Sequence, residues 1–238
     1  MKADARLVAE CVEGRTVLRE LRSMAPLTLF PKRRGGPDAV VHLVNSATSP
    51  LGGDELTLSV VVRAGARLRL SGVAATLALP GHRPGGSRAR VEVEIEGDGE
   101  LEYLPEPTVI TSRARHTAEF FATVGPDARL RTREVLVLGR SGEDGGVLRT
   151  TQRIVRGEVP VLHQTLEVGA LNASLAHLAG RRVLATEVRI DGALVAPASG
   201  DWWSRSPLAG GGCLLAALAQ EAVTAERDLD RARSAPSW

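Results

Sequence analysis

The sequence VVVRAGARL, residues 60–68, contains an apolar strand, a glycine turn and the start of a second strand. The same order recurs in VEIEGDGEL, residues 93–101, and in FATVGPDARL, residues 121–130. The three segments end on leucines spaced by 33 and 29 residues, Leu68, Leu101 and Leu130. A loose repeat of this length is typical of stacked β-layers, either a coil of strands or a two-sheet sandwich. Because the spacing drifts, the pattern favours an irregular, mainly β fold over a strict solenoid.

The segments around this repeat predict further strands and one helix. Strict alternation in VEVEIE, residues 91–96, indicates a strand with one buried and one solvated face. Shorter strands are predicted at residues 16–21 and 40–44. In the last third, residues 183–190 and 192–195 read as a hairpin that turns at Asp191-Gly192. After a run of glycines, residues 213–233 are predicted to be an amphipathic helix, with apolar residues three to four apart: Leu214, Leu218, Ala222, Ala225 and Leu229.

Composition limits the classes of function. Hydrophobic residues make up 43% of the chain but aromatic residues only 3%, so the core must be built from Val, Leu, Ala and Ile. A net charge of +2 offers no general attraction for nucleic acid or an anionic membrane. Cys11 and Cys213 are too few and too far apart for a disulfide framework or a zinc site. Since no signal peptide or long apolar run is evident, we expect a cytoplasmic protein.

A glycine turn, Leu51-Gly52-Gly53-Asp54, leads directly into the predicted strand at residues 55–62. Two adjacent glycines allow conformations that other residues rarely adopt, and one carboxylate lies at the mouth of the strand. This arrangement could hold a metal ion, contact a partner or simply close a hairpin. A phosphate-binding loop requires a helix after the glycines, and a strand follows here, so nucleotide binding is disfavoured.

Two other strand ends carry polar residues. Residues 100–108, ELEYLPEPT, bring Glu102, Tyr103 and Glu106 beside the rigid Pro105 and Pro107. Such a loop suits a contact surface or a ligand site, or it simply ends an edge strand. A second glycine-rich exit at residues 138–143 carries Gly139, Arg140 and Glu143.

The histidines show no zinc-binding pair at i, i+4 spacing: His42, His82, His116, His163 and His177. A lone strand histidine such as His42 is more often structural than a ligand. The chain contains no nucleophile elbow and no trusted catalytic triad. These observations leave the chain with very little overt chemistry.

Taken in order, these segments resemble the UreD (UreH) family of urease accessory proteins. The matching series runs from about residue 25 to 169: LGGD 51–54, AGA 64–66, AAT 74–76, LEYLP 101–105, LGR 138–140, GE 142–143 and the Arg156-Gly157 pair before Pro160. The family's usual lysine and aromatic residue after Ala-Ala-Thr are absent here. Its Leu-Pro-Gln-Glu-Thr appears as LPEPT, which moves the carboxylate to Glu106. The chain therefore looks like a divergent actinobacterial branch.

The resemblance implies a non-enzymatic scaffold for nickel delivery. Members of this family bind the accessory protein UreF, which recruits the GTPase UreG, and the assembly docks on apo-urease. The family fold is a helically coiled, mostly β structure with a small helical part. It implies one domain over residues 1–238, with the motif-bearing core at about 25–169 and the hairpin and helix at about 183–233.

No tightly bound cofactor is expected, and Ni²⁺ would be bound only in transit. The first choice for a residue on the nickel path is Asp54, followed by Glu102, Glu106 and Glu143, with His42 as a more distant choice. The remaining motif residues are expected to shape the backbone: Gly52, Gly53, Pro105, Gly139 and Arg140.

Two alternatives from other classes stay open. A β-helical polysaccharide enzyme would share the layered strands, but such enzymes usually carry a secretion signal and clustered charged groups. A generic β-sandwich or β-helix binding module usually offers exposed aromatic residues, and only Trp202-Trp203 provides such a pair here.

Overall fold

The computed structural model describes residues 1–32, 36–82, 85–169 and 178–236. Within these ranges eighteen strands precede the C-terminal helix α1 (Ala222–Ser234). The strands are β1 (Lys2–Val12), β2 (Arg15–Arg22), β3 (Leu27–Lys32), β4 (Ala39–Asn45), β5 (Glu55–Val62), β6 (Arg67–Gly72), β7 (Thr76–Ala78), β8 (Ser87–Ile95), β9 (Glu100–Leu104), β10 (Thr108–Ile110), β11 (Arg115–Val124), β12 (Arg129–Leu138), β13 (Val147–Arg156), β14 (Val159–Val168), β15 (Val183–Ile190), β16 (Ala198–Ser199), β17 (Trp203–Pro207) and β18 (Cys213–Ala219).

The strands form two facing sheets between which the chain alternates. Sheet A has the order β14-β13-β11-β8-β5-β1-β2, and sheet B has the order β16-β17-β18-β15-β12-β9-β6-β4-β3, in which β10 also pairs with β12, and β7 with β10. From β4 to β13 the longer strands pair in parallel with the corresponding strands of the next coil. The predicted layered, helically coiled β fold is therefore confirmed, and the parallel pairing identifies it as a coil of strands.

The three leucines of the sequence repeat lie side by side in sheet B. Leu101 pairs in register with Leu68 on one side and with Leu130 on the other, and all three are buried in one core. The turns before them stack as well: the Gly125 amide donates to the Ile95 carbonyl. At Gly97, φ is +54° and an added Cβ would lie 2.7 Å from the Cβ of Ala64. The repeat thus marks successive coils of one structure.

The predicted alternation at residues 91–96 is also confirmed. Val93 and Ile95 are buried between the sheets, while Glu92 and Glu94 are exposed on the outer face of sheet A. The predicted strands at residues 16–21 and 40–44 correspond to β2 and β4.

The C-terminal prediction is partly wrong. Residues 213–219 form β18, which pairs antiparallel with β15, and α1 begins only at Ala222. The run CLLAALA is apolar throughout, so it fits both a helical and a strand period, and the free edge of β15 decides the outcome. The predicted hairpin is also wrong. β15 pairs with β12 and β18, whereas residues 192–195 form no strand.

Helix α1 packs its small apolar face on the outside of sheet B. Ala225, Leu229 and Ala232 are buried against β15 and β18. At the end of the helix, Arg233 forms an ion pair with the fully buried Glu187 at 2.8 Å, and Arg131 reaches the same carboxylate at 3.1 Å. Among the described residues, no helix combines the length and the apolar character needed to span a membrane.

Replacing Leu101 with alanine should strongly destabilise the coil. Its side chain is 2% exposed and packs between neighbouring coils, so truncation is expected to lower the free energy of unfolding by about 2 to 5 kcal/mol. Chemical denaturation followed by circular dichroism measures the change. Leu194→Ala, at a site that is 96% exposed, serves as the control and should have little effect. Equal stability of the two variants would contradict the structural role of the leucine stack.

Candidate functional site

A polar layer interrupts the apolar space between the sheets. On β12 the inward-facing residues run from the buried Leu130 through polar positions to the buried Leu136, and β13 follows the same pattern from Leu148 to Ile154. The polar layer consists of Thr132, Glu134, Thr150, Gln152, Gln164 and Thr186, contributed by four strands. It separates the large core of the early coils from a smaller core at the other end of these strands.

Glu134 is the only carboxylate of this layer, and its hydrogen-bond donors are neutral. The Thr150 hydroxyl lies 3.0 Å from both carboxylate oxygens, and the Gln152 amide donates to Oε2 at 3.2 Å. The same amide lies 3.3 Å from the Thr186 hydroxyl, which links sheet A to sheet B. Within the described ranges, no arginine or lysine forms an ion pair with Glu134.

Burial dominates the electrostatics of Glu134. Removal from water raises the pKa of its carboxyl group, and the hydrogen bonds from Thr150 and Gln152 only partly oppose that effect. Burial also raises the pKa of Tyr103, and the nearby charge of Glu134 adds to that shift. The carboxylate therefore favours either protonation or the arrival of a cation.

A cavity of about 260 Å³ reaches this layer from the far end of the coils. It lies where β6 and β9 leave sheet B, away from the stacked glycine turns. Its wall is mainly apolar and includes Leu58, Val91 and Phe120. The polar groups in the wall come from both sheets and include Tyr103, Glu106, His116, Thr132, Glu134 and Gln152. The charged residues Arg90, Glu119 and Arg133 also line it. A mainly apolar cavity with polar groups at a few places is the usual form of a ligand-binding site.

His116 contributes an uncharged imidazole to the cavity wall. The side chain is 5% exposed, and its Nδ1 lies 2.9 Å from the buried Ser87 hydroxyl. Burial lowers the pKa of His116 to about 4, so the ring is neutral near pH 7. A neutral imidazole can act as a metal ligand or as a hydrogen-bond partner.

One of the five predicted metal-path residues lies at this cavity. Glu106 and the adjacent Pro105 line its wall, where the proline-bracketed loop leaves β9. The Glu106 backbone also approaches Gly72, because an added Cβ at Gly72 would be 2.6 Å from the Glu106 nitrogen. The loop between β9 and β10 is therefore closely packed against the end of β6, beside the cavity.

Asp54 lies elsewhere and closes its own turn. Its carboxylate accepts hydrogen bonds from the Met1 ammonium at 2.7 Å, the Ser49 hydroxyl at 2.8 Å and the Leu51 amide at 2.9 Å. Burial acts to raise the pKa of Asp54, but these donors outweigh it and the pKa is lowered. Gly52 packs against another turn, since an added Cβ would lie 2.9 Å from the Gly81 nitrogen. These contacts hold the turn in place, but it does not close a hairpin, because it leads from β4 in sheet B to β5 in sheet A.

The remaining predicted residues lie on separate surfaces. Glu102, on the outer face of sheet B, forms ion pairs with Arg131 at 3.1 Å and Arg69 at 3.5 Å. On the same face, the Nδ1 of His42 lies 3.1 Å from the Ser71 hydroxyl.

Glu143 closes the glycine-rich loop after β12. It accepts bonds from the Arg140 guanidinium at 2.6 Å and the Ser112 amide at 2.8 Å, and these lower the pKa of Glu143 to about 2. Gly139 adopts φ +73° in this loop.

The structure therefore does not bring the five predicted residues together. The described residues contain no group of three or more His, Cys, Asp or Glu side chains that could hold a metal ion. Transient nickel binding by these residues stays a prediction, and His177 lies outside the described residues. The aromatic pair is divided, because Trp202 stacks on Arg181 at 3.8 Å whereas Trp203 packs against the core under α1.

The polar layer was not predicted from the sequence, although the sequence contains a pattern that indicates it. The alternation in β12 predicts that Leu130, Thr132, Glu134 and Leu136 share one face. A carboxylate at an inward position, with Gln152 at an inward position of β13, marks a polar interior. Recognising it required knowing which face is buried and that β12 and β13 lie in opposite sheets.

Because His116 is buried as a neutral ring, it should make stability depend on pH. Its folded-state pKa of about 4 lies below its ordinary value of 6.5, so its contribution is full above pH 6.5 and decreases as the pH falls towards 4. The stability difference between the wild type and His116→Gln should change by about 3 kcal/mol across this window, at roughly 1.4 kcal/mol per pKa unit. Denaturant titrations from pH 7 to 4 measure it. The exposed His163→Gln is the matched control, and identical pH slopes for both variants would contradict the assignment.

Glu134→Gln should stabilise the protein at neutral pH. The amide keeps an acceptor for Thr150 and Gln152 but removes the buried charge. Because the folded-state pKa of Glu134 is raised, the stability that this group contributes is present in acid and is lost as the pH rises through that pKa. The variant's advantage in free energy of unfolding should therefore grow with pH and vanish in acid. A variant that is less stable than the wild type at pH 8 would contradict an uncompensated charge at this partly buried carboxylate.

The chain is similar to known proteins along almost its whole length. The model of a family described as UreD urease accessory protein matches residues 1–235, well beyond the motif-bearing stretch at 25–169. Urease accessory protein UreD 1 of Saccharopolyspora erythraea is 54% identical over 98% of this chain and 94% of its own length. Urease accessory protein UreD of Parafrankia sp. is 38% identical over 97% of this chain and 87% of its own. The corresponding protein of Streptomyces coelicolor is 37% identical over 98% and 95%.

These relatives carry the name of accessory proteins, and the match extends along the whole coil and the C-terminal helix. The chain belongs to the UreD family of urease accessory proteins.

Proposed function

We propose that this chain acts in urease maturation as a cytoplasmic scaffold through which Ni²⁺ passes on its way to apo-urease, in a complex with UreF and the GTPase UreG. Membership of the UreD family supports the role in urease maturation. The partners and the cargo are part of the proposal. It assigns the chain no catalytic step, and Ni²⁺ is a cargo that the protein must release.

The observation that carries this proposal is that the Glu134 carboxylate has only neutral hydrogen-bond donors. A partly buried carboxylate that is bonded only to neutral donors is disfavoured when ionised. A divalent cation that reaches it through the cavity would supply the missing positive charge. The site would thus favour a cation in transit over an empty, ionised state.

The nearby groups are suited to weak binding. Ni²⁺ accepts carboxylate oxygen and neutral imidazole nitrogen, and the cavity wall offers Glu134, Glu106 and the neutral His116. These side chains do not form a dense cluster among the described residues. Few and separated ligands would bind the ion transiently, as a delivery route requires.

Glu134→Gln should impair nickel delivery without preventing assembly. The experiment co-expresses the chain with UreF, UreG and urease, then measures the nickel content and activity of purified urease together with the recovered accessory complex. We expect at least a several-fold loss of urease nickel with normal recovery of the complex. Glu94→Gln is the matched control, because Glu94 is an exposed carboxylate on the outer face of sheet A.

Three outcomes separate the parts of this proposal. Absence of any complex between the wild-type chain and UreF would overturn the scaffold role. Normal nickel loading by Glu134→Gln would retain the scaffold but exclude Glu134 from the route. Equal losses for Glu134→Gln and Glu94→Gln would indicate a general charge effect.

A further inference from the structure

The edge of sheet A at β14 differs from the other edges of the two sheets. An edge strand exposes unpaired backbone groups, and proteins usually block such edges with charges, prolines or short strands. At the opposite edge of sheet A, four of the eight residues of β2 are charged, Arg15, Arg19, Glu20 and Arg22. In sheet B, β3 ends in Pro31-Lys32, and β16 has two residues.

In contrast, β14 is long and almost uncharged. It extends over ten residues, and Glu167 is its only Asp, Glu, Lys or Arg. Its proline, Pro160, lies near the first residue and leaves the following eight positions free of this block. Among the described residues, β13 is its only strand neighbour. About half of its backbone N–H and C=O groups therefore point towards the free side.

The side chains of β14 indicate what could pair there. Leu162 and Leu166 pair with residues of β13 whose side chains are buried between the sheets, so they lie on the same inner face. Both remain partly exposed, and the space between the sheets is therefore open at this edge. On the outer face, the exposed His163 lies opposite the exposed Arg153. No carboxylate of the described residues forms an ion pair with Arg153, whereas Arg149 pairs with Glu167 at 3.0 Å.

We infer that β14 accepts an extended segment of a protein partner as an added strand of sheet A. Backbone hydrogen bonds would supply most of the affinity and alternate side chains the specificity. The segment should alternate apolar residues, which cover Leu162 and Leu166, with polar ones, and should place an acidic residue beside His163 and Arg153. This inference rests on the proposed function for the existence of the partner, UreF.

Hydrogen–deuterium exchange tests the added strand directly. The intact chain is compared with its co-expressed complex with UreF and UreG, and deuterium uptake is followed in peptides covering residues 159–168. We expect exchange in β14 to slow at least about tenfold in the complex, because the edge amides gain partners. Peptides from β2, at the opposite edge, provide the internal control and should not change.

Thr165→Glu provides the matching variant, since a charge on an edge strand opposes pairing and a carboxylate here would repel the acidic residue expected beside His163 and Arg153. Thr165 is exposed on the outer face of β14, and Thr123→Glu places the same charge on the outer face of the central strand β11. The edge variant should weaken the complex at least about tenfold, whereas the central variant should not.

A complex that forms without protecting β14 would overturn this inference and leave the proposed function intact. Absence of any complex removes the proposed function and this inference with it. A dimer of the chain alone that protects β14 would also contradict the inference, because the occupant would then be a second copy.

Discussion

Each coil of this molecule must begin its strand in sheet B at the same register, because a shift by one residue would turn every inward side chain outward. The stacked turns enforce that register through backbone bonds such as the one from the Gly125 amide to the Ile95 carbonyl. As a result, Leu101 lies between Leu68 and Leu130, and the burial of these leucines stabilises the arrangement that places them.

The same register places the polar layer. Once Leu130 faces the interior, Glu134 must face it too, four residues further along β12. The antiparallel pairing of β12 with β15 puts Thr186 directly opposite Glu134, and β13 brings Thr150 and Gln152 from the other sheet. The candidate site thus depends on the repeat that forms the coil, although its polar residues lie away from the glycine turns.

The sequence was sufficient for the features that depend on local pattern. The repeat of strand, glycine turn and leucine predicted stacked β-layers, and the alternation at residues 91–96 predicted the exposed Glu92 and Glu94. It was insufficient where the environment decides. The run at 213–219 fits a helix or a strand, and pairing with β15 makes it a strand. Likewise, the period-2 pattern cannot tell which face of β12 meets β13, so the isolated charge of Glu134 emerges only from the packing of the two sheets.

Two carboxylates inside this fold show why burial alone does not identify a functional group. Glu187 is fully buried, but Arg131 and Arg233 both donate to it, and although burial acts to raise its pKa, these two arginines outweigh that effect and lower it. The two arginines balance its charge, and the ion pair with Arg233 holds α1 on sheet B. Glu134 is only partly buried and has only hydroxyl and amide donors, and the pKa of its carboxyl group is raised. A hydrophobic residue at that position would extend the apolar core on both sides of the layer, so the carboxylate lowers stability at neutral pH. Because Glu134 lowers stability and borders a cavity, binding of a ligand explains its presence better than a structural role does.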